Sequence, residues 1–151
     1  VLFRSQAADD RFNKISKCTG GTWMSEQVYG EPGPNEDGNT NTILEAAGCT
    51  LREGKTMSNV RALEANFVAE AKAAGLDMNI FRFSPVYTNG EVDLVYFVGH
   101  ADTATFVANG NKGWNTKGLR MANALFNIVM DCGAGLYNAE NIRMGQGAGE
   151  N

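Results

Sequence analysis

Residues 78–100, MNIFRFSPVY-TNG-EVDLVYFVGH, carry the reading of the fold. Met78–Tyr87 and Glu91–His100 are both rich in aromatic and β-branched residues, which suit a pleated, half-buried surface. Thr88-Asn89-Gly90 between them is a tight-turn signal, so the two runs are expected as an antiparallel hairpin. Pro85 offers no amide donor, which places the first strand at an edge or gives it a bulge. Strand alternation sets Ile80 and Val86 against Phe81 and Phe83, then Val95 and Phe97 against Leu94, Tyr96 and Val98. Both faces are apolar, so both need cover.

Upstream of the hairpin, Val60, Leu63, Phe67, Ala71 and Ala74 recur at helical spacing, with Ser58 as N-cap and Gly75 as the stop. A helix is expected over 59–74. Ile43–Leu51 precedes it as a first strand, weakened by its alanines. Downstream, Asp102 starts a short helix ending near Asn109-Gly110. The segment Asn109–Thr116 (NGNKGWNT) then reads as a glycine-punctuated loop, the kind that forms the mouth of a site. A second helical run over Thr116–Asp131 turns Leu119, Ala122, Leu125 and Val129 inward, and Gly135–Met144 is the last strand. The order βαββαβ is α+β and ferredoxin-like: a split βαβ with an antiparallel sheet and both helices on one face.

The two ends of the chain repeat each other. Phe12, Asn13, Cys18, Gly21, Trp23, Glu26 and Val28 are matched 114 residues later by Phe126, Asn127, Cys132, Gly135, Tyr137, Glu140 and Ile142. A repeat of this period is a repeated domain. Residues 1–29 are therefore expected to be an added tail followed by the last strand of a preceding copy. Val1–Ser5 resembles the translated end of a sequencing adapter, and an N-terminal truncation is expected. Residues 30–42 read as a linker, 43–144 as the complete domain and 145–151 as a flexible tail.

Composition narrows the function. Thirteen basic and seventeen acidic residues give a net charge of −4 without a basic stripe, so nucleic acid is not an expected partner. Apolar runs fall well short of the about eighteen residues that a membrane-spanning helix needs. With one histidine and three scattered cysteines, a metal site is not expected. The repeat suggests a Cys49–Cys132 disulfide, with Cys18 as the counterpart of Cys132; a periplasmic or secreted setting would follow. Three buried thiols are the alternative.

Taken as a whole, 43–144 resembles the dimeric α+β barrel group, which includes antibiotic-biosynthesis-monooxygenase-like proteins. Cys49-Thr50-Leu51-Arg52-Glu53-Gly54-Lys55-Thr56-Met57 and Val98-Gly99-His100-Ala101-Asp102 look like segments of tandem members of that group. The resemblance implies two ferredoxin-like units closing sheet to sheet, with a second copy of the domain, tandem or homodimeric, as partner. It also admits two functions: a non-catalytic domain that binds a small apolar or aromatic molecule or serves assembly, and a small monooxygenase, cofactor-free or haem-dependent. For the second, His100 and Trp114 are catalytic candidates by residue type, His100 as axial haem ligand or general base. Arg82, Tyr87, Tyr96 and Trp114 are ligand-binding candidates. Against these stand plain structural roles: a strand-end hydrogen bond for His100, a solvated cross-strand pair of Arg82 with Asp93, and core packing for the aromatics.

Overall fold

A computed structural model describes residues 22–30, 41–87 and 92–140. The elements run β1 (Thr22–Tyr29), β2 (Asn41–Leu51), α1 (Met57–Ala74), β3 (Asn79–Tyr87), β4 (Leu94–His100), α2 (Thr103–Asn115), α3 (Lys117–Val129) and β5 (Met130–Glu140). The fold is α+β, with one five-stranded antiparallel sheet in the order β1-β3-β4-β2-β5. Strand β1 lies along the edge of β3 with Glu26 opposite Arg82. Residues 1–21, 31–40, 88–91 and 141–151 fall outside the description, and with them the expected tails, most of the linker and the hairpin turn.

Local chemistry explains most of the boundaries. Thr56, not Ser58, caps α1: its N–H donates to Asn59 Oδ1 at 3.0 Å, and Ser58 sits within the first turn. Gly75 ends the helix with φ +62°, a left-handed conformation that glycine adopts without a Cβ clash. The expected face of α1 is inward, with Val60 and Ala71 fully buried. In α3 the inward stripe is Leu119, Ala122, Phe126 and Val129, while Leu125 is exposed. Phe126 takes the inward place by packing on both Phe67 and Tyr96.

Two boundaries differ from expectation. The segment Asn109–Thr116 is not a loop: α2 continues through Gly110, Gly113 and Trp114 as far as Asn115. Glycine weakens a helix without ending it, and Asn109 is held by tertiary contacts. The break falls on Thr116, whose N–H bonds to Lys112 O while its own carbonyl accepts from Arg120 N–H. The last strand also starts earlier, at Met130, because Met130 and Cys132 pair with Leu51 and Cys49 across β2·β5.

Cys49 and Cys132 form a disulfide between these adjacent strands. Around it, Cys49, Val60, Leu94, Val129 and Met130 make the buried core. Contacts from α1, α2 and α3 reach the sheet face that carries Arg82, Tyr96 and His100. The other face carries Phe81, Phe83, Val95 and Phe97, all partly exposed, with Phe83 and Phe97 edge to face at 5.1 Å. Among the described residues, no helix is long and apolar enough to cross a membrane.

Candidate functional site

Between the sheet and its helices lies a cavity of about 780 Å³. Ala47, Phe67, Leu76, Ile80, Val98 and Phe106 give it apolar walls, and Glu45, Glu64, His100, Asn109 and Arg120 are among its polar groups. Strand alternation builds the floor: Glu45, Ala47, Tyr96, Val98 and His100 all project from one side of β2 and β4.

The first polar cluster is centred on Arg82. Its side chain is 1% exposed and bonds through Nη1 to Glu64 on α1 and through Nη2 to Glu26 on β1. Burial disfavours the guanidinium, yet Glu64 and then Glu26 outweigh this and raise its pKa above the ordinary value. The Tyr96 hydroxyl donates to the other Glu64 oxygen at 2.6 Å. Burial first, and the Glu64 bond and charge second, push the Tyr96 phenol well above its usual range, so it stays protonated. Both Glu64 oxygens are thus engaged.

The second cluster links three elements through His100, which is 3% exposed. Its Nε2 lies 2.9 Å from Glu45 Oε1 on β2, and its Nδ1 lies 3.1 Å from Asn109 Nδ2 on α2. Asn109 also clasps the backbone before β3: Asp77 N–H donates to its Oδ1 at 3.0 Å, and its Nδ2 donates to Asp77 O at 2.5 Å. The Phe106 ring meets the imidazole edge to face at 5.2 Å. Asp102, two residues after His100, turns the chain back by capping α2 through Thr105 N–H at 2.7 Å. That bond holds the Asp102 carboxyl below its ordinary pKa.

The expected site residues separate accordingly. His100 and Tyr96 line the cavity, and so does Trp114 from α2, although 76% of Trp114 is exposed. Arg82 lies behind the cavity wall and is occupied by its carboxylates. Its partner is not Asp93: the β3·β4 register sets Arg82 opposite Tyr96, while Asp93 accepts from Leu51 N–H at 2.7 Å. Tyr87 ends β3 opposite Thr22, and its side chain lies outside the described residues. Glu45 and Glu64 carry no site signal in the sequence, and Glu26 stands out there only through the repeat. Glu64 follows Val60 by one helical turn, and Glu45 alternates with Ala47 and Cys49, so each sits on a core-facing register.

Axial ligation of haem needs an imidazole nitrogen with a lone pair to give. Both His100 nitrogens are already engaged, by Glu45 and Asn109, so this arrangement does not fit His100 as that ligand. Compared with protein-family models, curated proteins and solved structures, the chain matches none.

Proposed function

We propose that residues 41–140 are a ferredoxin-like unit that binds a small, largely apolar or aromatic molecule in the cavity between sheet and helices. On this reading β2, α1, β3, β4, the α2–α3 pair and β5 are the βαββαβ set, and β1 is an added edge strand. The cavity carries the proposal. Its volume of about 780 Å³ falls in the range of small-molecule sites, about 300–1,000 Å³, and apolar walls with a few fixed polar groups are their usual lining. Binding is favoured over catalysis because Glu64, His100 and Asn109 already bond one another or their neighbours, and so shape the walls. The disulfide supports an oxidising compartment.

Tryptophan fluorescence titrated with a panel of neutral aromatic compounds, such as naphthols and indoles, tests the reading. Saturable binding is expected for wild type, with loss of affinity in Ala47→Trp, which fills the floor while the circular dichroism is retained. A panel without saturable binding, or equal affinity in the filled variant, defeats it.

A role in assembly has its own support. β1 is the sequence counterpart of the end of β5, yet it pairs with β3, so a strand of this type can join the edge of another copy. The partly exposed Phe81, Phe83, Val95 and Phe97 would gain cover from a second sheet. Sedimentation should give a dimer; a monodisperse monomer at high concentration counts against this role.

A further inference from the structure

Phe106, Gly110, Gly113 and Trp114 place α2 along the cavity, yet Asn109 is its single buried residue. Surface helices are ordinarily held by an apolar stripe, and neighbouring α3 buries Leu119, Ala122 and Val129 in that way. α2 hangs instead on an amide, aided by the Phe106 ring contact and by Lys112 Nζ donating to Gly75 O at 2.5 Å. Two interior glycines weaken it further, and one extended residue, Thr116, joins it to α3.

The amide's orientation is fixed by the backbone. Asp77 N–H donates to Asn109 Oδ1, so Nδ2 is the group turned toward both Asp77 O and His100 Nδ1. An amide nitrogen only donates. His100 Nδ1 must therefore accept, leaving its proton on Nε2 for Glu45. A second ring proton would set N–H against N–H across 3.1 Å, while adding charge attraction to Glu45. The charged ring would keep its hold on β2 and lose α2.

We propose that α2 is a lid on the cavity, latched by the bond from Asn109 to His100 Nδ1 and released when that nitrogen takes up a proton. Its purpose rests on the binding reading above; its existence does not. Among the described residues, the groups seen to meet the imidazole include Glu45 from β2 and Asn109 and Phe106 from α2, with the Asp77 backbone before β3 bonded to the same Asn109. Further charged residues tied to the same elements are Asp77, whose backbone Asn109 clasps, and Lys112, which donates to the Gly75 carbonyl. The latched form excludes a proton from Nδ1 and the released form admits one, so falling pH favours release.

Hydrogen exchange on the full chain tests this, read as amide protection of 103–115 relative to α1 at pH 8 and pH 5.5. In wild type the relative protection of α2 is expected to fall about tenfold at the lower pH, the scale of one hydrogen bond lost and one repulsion gained. His100→Gln should abolish the pH effect, because its amide accepts from Asn109 and donates to Glu45 without titrating. Asn109→Asp should reverse its sign, because a carboxylate accepts from the protonated ring. An unchanged ratio in wild type, or the same fall in His100→Gln, overturns the latch. Since this readout uses no ligand, a cavity that binds nothing would sink the binding proposal and leave the latch standing.

Discussion

Where β2 meets β5 and α3, Cys49, Val60, Leu94, Val129 and Met130 pack against one another and a disulfide crosses the two strands. At the opposite end of β2, where Ile43 pairs with His100, the same face of the same sheet is joined to its helix by Glu45, His100 and Asn109. One end is sealed by apolar contact and a covalent bond, and the other by a chain of directional bonds beside a cavity. Apolar packing is indifferent to pH and strong wherever shape fits. Hydrogen bonds contribute less to stability, but they can be made or broken by one proton. The contrast divides the work: the sealed end holds the fold, and the polar end is left able to open.

The largest break in this comparison should come from the disulfide. Replacing Cys49 and Cys132 together by Ala is expected to cost about 4 kcal/mol, because their bond closes a long loop in the unfolded chain, and urea unfolding under oxidising conditions will show it. A loss below about 1 kcal/mol would mean that the sealed end does not hold the fold. Next comes a matched pair of truncations. Leu94→Ala, at a site with no exposure, should cost about 3 kcal/mol of global stability. Asn109→Ala should cost about 1 kcal/mol, concentrated in α2. Equal global losses would erase the distinction between the two ends. The smallest effect belongs to the exposed cap: Asp102→Ala should fray α2 slightly at neutral pH, measured by helical circular dichroism. Because the Asp102 carboxyl is depressed, its contribution is present above about pH 4, the ordinary aspartate value, and fades as pH falls through the lowered one. The difference between variant and wild type should therefore narrow in acid.

Strands β2 to β4 and helix α1 were legible because each carries a local signal: two-residue alternation, helical spacing, or a glycine where the chain must turn left-handed. The Cys49–Cys132 bond was legible from a repeat that singled out Cys132. The course of α2 was not, because Asn109, Gly110 and Gly113 look like punctuation, and what holds them is the distant backbone of Asp77. The partners of Arg82 were misread for a related reason. Symmetry about the hairpin turn pointed to Asp93, but the observed register passes Asp93 by, and Asp93 bonds to the backbone of β2 instead. Glu64 and Glu26 lie 18 and 56 residues from Arg82, and no spacing rule joins a strand residue to carboxylates on a helix and on a strand from elsewhere in the chain.

The disulfide also determines how the molecule would come apart under a protease. Cys49 and Cys132 stand 83 residues apart, and α1, β3, β4, α2 and α3 all lie between them. A single backbone cut anywhere in that interval would leave both pieces joined as one covalent species. Such a nick would be silent on a non-reducing gel and would appear as two bands once a thiol is added.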